Sequence, residues 1–141
     1  MAEDVVEKYG KRVQYSDTEL ETFRERGHRV RHVERLSEAA ARYSIVAEVL
    51  TARNCNSGHA PGQRFVLDLD GNFITKLCPK RMCVYLVSQL AIPVALINER
   101  LSEGLAPNDF HFMRQVRCPD TGVECLGYGE VMLKVEVVPR V

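Results

Sequence analysis

The 141-residue chain has no excess of either charge, because nineteen basic and nineteen acidic residues cancel. That removes the electrostatic case for nucleic acid or an anionic membrane as partner, since both are held through uncompensated Lys and Arg. No block of like charge stands at either end. No apolar run reaches the length of a membrane span: the longest, Val84 to Ile97, is interrupted by Ser88, Gln89 and Pro93 and reads as a buried helix. The first residues, Met1 to Lys8, are charged and lack the basic-then-apolar order of a secretory signal. The expected compartment is therefore the cytoplasm, where thiols stay reduced. Five cysteines are an odd number, which argues against a complete disulfide framework. There is no internal repeat and no low-complexity segment.

What is present is enough for one domain with a real core, at 45% apolar and 27% charged residues. Composition shifts near residue 42. Residues 1–42 are dense in charge, with Arg24, Glu25, Arg26, His28, Arg29, Arg31, His32, Glu34 and Arg35 close together. Here Ser16-Asp-Thr-Glu19 is a capping-box pattern, predicting a helix from about Asp17 to Arg26 that Gly27 stops. Residues 29–42 place Val30, Val33, Leu36 and Ala40 on one helical face, with a strand over 29–34 as the competing reading.

From Tyr43 the period becomes two. Tyr43, Ile45, Ala47, Val49 and Thr51 share one strand face, and Phe65, Leu67 and Leu69 share another. Asp70-Gly71-Asn72 is turn chemistry leading into a short strand over Phe73–Lys76. Met82, Leu86, Leu90, Val94, Ile97 and Leu101 then recur at helical spacing. They predict a helix over 79–103 with Pro79 first, Pro93 as a kink or break, and Gly104 just past the end. Phe110–Arg117 and Gly129–Val138 read as final strands. The expected fold class is α+β: residues 43–141 form a mainly antiparallel sheet with a long kinked helix on one face, and residues 1–42 form a charged helical extension.

The residues that carry chemistry are cysteines and a histidine. Cys55 and His59 lie in one tight loop, Cys78 precedes Pro79 where the helix should begin, and Cys118 precedes Pro119-Asp120 where a strand should end. Three thiols and one imidazole are a common structural zinc set, with iron the less favoured alternative. The spacing lacks the two close ligand pairs of a zinc finger, and buried cysteines often act only as small hydrophobes. On spacing alone, inert thiols account for these residues more simply than a metal. Cys78 at a helix N-terminus supports a third reading, a nucleophilic thiolate with His59 as its base. Cys83 reads as core, and Cys125 has no assigned role. His28 and His32 fall in charged sequence and are expected in solvent. His111 alternates with core Phe110 and Phe112. Asp68 and Asp70 read as solvent-facing acids beside a turn, and Asp120 as the carboxylate that orders its own turn.

Cys55-Asn-Ser-Gly58-His59-Ala-Pro-Gly62, Cys78-Pro79, Leu101–Gly104 and Cys118-Pro119-Asp120 together resemble a family of short conserved proteins of unknown function. The family is common in anaerobic bacteria and archaea. It carries a Cys-x-x-Gly-His-x-x-Gly loop, a central Cys before an amphipathic helix, and a terminal Cys-Pro-Asp turn. The match runs from Tyr43 to Val138. It implies that Cys55, His59, Cys78 and Cys118 belong together, and it implies no particular activity. Three functions are then open: a metal-binding accessory or ligand-binding protein, a thiol enzyme, or an interaction subunit. In the last, residues 1–42 bind a partner or a second copy of the chain.

Overall fold

In the computed structural model, residues 4–141 are described. Three helices come first: α1 (Val5–Val13), α2 (Asp17–Arg24) and α3 (Gly27–Ala40). Asp4 caps α1 by accepting the Glu7 N–H at 2.8 Å. Ser16 and Glu19 form the reciprocal capping box of α2, at 2.8 and 3.1 Å. Gly27 opens α3 where the sequence suggested that it would stop α2. Its φ is not positive, so it takes helical geometry and the two helices are separated only at Glu25–Arg26.

Four strands form one antiparallel sheet in the order β2-β1-β4-β3: β1 (Tyr43–Arg53), β2 (Arg64–Leu67), β3 (Gln115–Arg117) and β4 (Glu130–Pro139). Pairs such as Ile45–Val137, Ala47–Val135 and Val49–Leu133 place the β1 and β4 apolar sets on one face. The register slips between Val49 and Thr51, where Leu50 is an extra residue against β4. Thr51 is thereby turned to solvent and Ala52 comes to the core face opposite Val131, a change that strict alternation does not foresee.

The expected strand over Phe73–Lys76 shrinks to a single Leu67–Phe73 bridge followed by a 3-10 turn, Thr75–Leu77. Its turn forms as expected, with Gly71 at φ +91° and the Asp68 carboxylate accepting the N–H groups of Asp70 and Asn72. The strand over Phe110–Arg117 is also shorter, because Met113 at φ +64° breaks the extended run. Phe110 remains buried while Phe112 is exposed.

The apolar helix spans Val84–Ser102, 19 residues with mean hydropathy 1.2, long and apolar enough to cross a membrane, contrary to the shorter run expected from sequence. In the fold it lays Leu86, Leu90, Ile97 and Leu101 on the sheet. It divides into α4 (Val84–Val87), a 3-10 turn (Ser88–Leu90) and α5 (Ala91–Ser102). Pro93 has no N–H to return to Gln89, and the tightened turn lies just before it. At the far end Gly104 sits at φ +71°. Its N–H bonds to Leu101 and that of Leu105 to Arg100, the double closure of a Schellman motif. Pro79 does not start this helix. Residues 78–83 stay irregular because Cys78 and Cys83 are drawn into contacts with β2 and the Cys55 loop.

Leu36 and Ala39 of α3 join the same core cluster as the sheet and α5. The change at residue 42 therefore marks a switch from helix to strand within one core. By contrast, Val6 of α1 and Phe23 of α2 are buried outside that cluster, and the rings of Tyr9, Tyr15 and Phe23 meet at 5.6–5.9 Å.

Candidate functional site

The site begins where β1 and β4 part. Beyond the Arg53–Glu130 pair, Asn54 takes φ +56° and turns the chain out of the sheet. Opposite it, Gly129 packs against the Asn54 and Arg53 carbonyls so closely that a Cβ there would collide with backbone. The chain next forms the Cys55 loop, where the Gly58 N–H bonds to the Cys55 carbonyl at 3.0 Å. The loop returns through Gly62 at φ +91°, whose N–H reaches the Val49 carbonyl at the bulge.

His59 is buried, at 4% exposure, with its ring edge-on to Phe65 at 5.3 Å. Its Nε2 accepts the Cys83 N–H at 3.3 Å. A backbone amide can only donate, so the proton resides on Nδ1, which donates to Gln63 Oε1 at 2.9 Å. Both ring nitrogens are thus committed to the protein. His59 clamps the Cys55 loop to the start of α4, and in this arrangement it has no lone pair free for a metal or a substrate proton.

The opposite wall comes from the loop between β3 and β4. The Cys118 N–H bonds to Val131 at 3.0 Å, and Asp120 then gathers the N–H groups of Thr121, Tyr128 and Gly129 at 2.8–2.9 Å. The Gly129 and Tyr128 amides, in that order, hold the Asp120 carboxyl below the usual carboxylate range. The turn-ordering role expected of Asp120 is the one it has. A group with a lowered folded pKa stabilises above its unfolded pKa and loses that contribution as pH falls through the folded value. The melting-temperature gap between native protein and Asp120→Asn should therefore be full at neutral pH and shrink below about pH 4. A gap that widens in acid would contradict this account of the loop.

Between these walls lies an open cleft of about 940 Å³ lined by Cys55, His59, Cys83 and Cys118, with the exposed rings of Tyr85 and Tyr128 at its edge. Three of the four residues expected to converge do line it. Cys78 lies elsewhere: its Sγ accepts the Val66 N–H at 3.3 Å and its S–H donates to the Val66 carbonyl at 3.4 Å. The thiol thereby satisfies the outer edge of β2, and no helix begins at Cys78. Cys83, which reads as core from sequence, packs against the core cluster and also lines the cleft. Cys125 is exposed and belongs to a smaller recess behind Asn54 and Gly129.

Among the described residues, no three His, Cys, Asp or Glu side chains are grouped so as to hold a metal ion. The cysteines are all free thiols. Sequence reasoning missed Cys83, Tyr85 and Tyr128. Two signals were available: Tyr85 falls off the Met82–Leu86–Leu90 face, and Tyr128 stands between two glycines in a loop. Comparison of the chain with protein-family models, curated proteins and solved structures finds no match.

Proposed function

We propose that the chain is a small cytoplasmic ligand-binding protein whose site is the cleft ringed by Cys55, Cys83 and Cys118. The observation that carries this reading is that three of the five thiols and two exposed tyrosines border one space of about 940 Å³, within the range of small-molecule sites. Leu86 and Val131 give the cleft an apolar floor, and the tyrosines offer flat faces with a polar tip. The ligand class favoured is a small organic molecule with an apolar body. The test is alkylation of the native protein with iodoacetamide, read at each cysteine by peptide mass spectrometry. The run is repeated with the low-mass fraction of a cell extract. Protection of Cys55, Cys83 and Cys118 together, with Cys125 unaffected, supports the reading. Unchanged rates at all three contradict it.

A second reading keeps the metal. Zinc, or less readily iron, would be held by Cys55, Cys83 and Cys118, with Cys83 in the place first given to Cys78 and with His59 as a fixed neighbour. It is favoured by three thiols lining one space, since thiolates are preferred zinc ligands, and it requires them to draw together around the ion with a fourth donor from outside the set. Elemental analysis should then find near one zinc per chain, lost in Cys83→Ser and Cys118→Ser and retained in Cys78→Ser. A thiol enzyme pairing Cys78 with His59 has less support, since each group is bonded to other partners.

The resemblance to the family with the Cys-x-x-Gly-His-x-x-Gly loop is compatible with either ligand. Docking of a partner or second copy on the N-terminal helices is compatible too. Its deletion test should stop before α3, because Leu36 and Ala39 belong to the main core.

A further inference from the structure

The N-terminal helices α1, α2 and α3 and helix α5 border a second, open cavity of about 400 Å³. Its inner wall is aromatic, with Tyr9 and Phe23 stacked at 5.6 Å and Tyr15 against both. Across from them is Ser102, a buried polar residue on α5. Ser102 donates its hydroxyl proton to the Asn98 carbonyl at 2.9 Å, so the short contact with His32 Nδ1 is a donation from the ring to Ser102 Oγ. His32, expected in solvent, is half-buried for this reason. The proton of Ser102 is already committed, which makes this pair an anchor for α3 against α5 and leaves no nucleophile.

The charges at the mouth are unevenly used. Arg31 and Glu103 neutralise each other at 2.7 Å. Arg29 on α3 and Glu99 on α5 also line the cavity, both exposed, and neither side chain has an ion-pair partner within 4 Å among the described residues. One unpaired guanidinium and one unpaired carboxylate thus face the mouth of an aromatic-walled cavity. A ligand complementary to all three features carries a carboxylate for Arg29, an ammonium for Glu99 and a flat apolar body for the aromatic wall.

We propose that this cavity binds a small zwitterion with an aromatic side chain, of the aromatic α-amino acid class. It is a site separate from the thiol cleft. The aromatic cluster of α1 and α2 lies outside the main core, so a ligand there would also tie that helical pair to α3.

The test is a titration of the full chain with L-phenylalanine, followed by amide-resolved NMR, with phenylacetate and phenethylamine as probes that each lack one charge. Amide shifts should concentrate in α1, α2, α3 and α5, and both single-charge probes should bind about tenfold more weakly or worse. Arg29→Gln and Glu99→Gln should each weaken L-phenylalanine by a similar factor. Arg29→Gln should leave phenethylamine unaffected, and Glu99→Gln should leave phenylacetate unaffected. Both substitutions are at exposed positions, so the thermal midpoint without ligand should stay as in the native chain. The absence of saturable shifts, shifts confined to the Cys55 cleft, or equal binding of all three probes would overturn the proposal.

Discussion

Gly129→Ala is expected to lower stability by about 3 kcal/mol, although it adds only one methyl group. Gly129 has an ordinary φ, so the loss arises from contact and not from backbone preference. The new Cβ would meet the carbonyls of Asn54 and Arg53, which are main-chain atoms and cannot rotate aside. Relief requires β1 and β4 to separate where they launch the two loops of the cleft. It also pulls the Gly129 N–H from Asp120, which it now reaches at 2.8 Å. A urea titration of the variant should show this loss. Gly58→Ala is the matched control: nothing lies within 4 Å of its would-be Cβ, and its φ of +76° alone should cost about 1 kcal/mol. Equal losses in the two variants would mean that the close approach at Gly129 is not what sets the loop geometry.

The second large effect is expected for Phe65→Ala, at about 3–5 kcal/mol. Phe65 is fully buried on β2, faces Ala47 across the ladder, and meets the rings of His59 at 5.3 Å and Phe73 at 6.5 Å. Its removal leaves a cavity between sheet and loop, into which the His59 ring can tilt. The clamp on the Cys83 N–H should loosen as a result. The variant should therefore show faster hydrogen exchange at the Cys83 amide than the global destabilisation accounts for. A loss of stability with Cys83 exchange slowed or unchanged, relative to that global effect, would contradict the clamp.

Much of the architecture was legible in the chain because period and punctuation agreed. The β4 alternation of Val131, Leu133, Val135 and Val137 is the burial pattern observed, and Ser16-x-x-Glu19 forms its capping box. Gly104 ends α5 as its position suggested. The misreadings lie where tertiary hydrogen bonds outweigh local pattern. Cys78-Pro79 has the form of a helix start, yet the Cys78 thiol is occupied by the Val66 backbone and the next five residues follow it. Gly27 has the form of a stop, yet nothing nearby requires a positive φ. The Leu50 bulge is invisible to an alternation count because it is fixed by the return of Gly62 and Gln63 to Val49.

The site was partly legible for the same reasons. Cys55, His59 and Cys118 flank glycine and proline turns, and all three line the cleft. Their roles were less legible. His59 resembles a ligand until its two ring nitrogens are accounted for. Cys83 packs against the core as its sequence setting suggested, and the irregular 78–83 segment also carries it to the cleft wall.

The most direct test of this account is the alkylation rate of each cysteine in the native chain without ligand, compared with the Tyr128→Ala variant. Cys125, exposed in its loop, should react fastest, and Cys78, held at the β2 edge, slowest. Cys55, Cys83 and Cys118 should fall between them and accelerate together when the Tyr128 ring is removed from the rim. Cys78 reacting with the cleft thiols, or Cys83 failing to, would show that the three do not share one site.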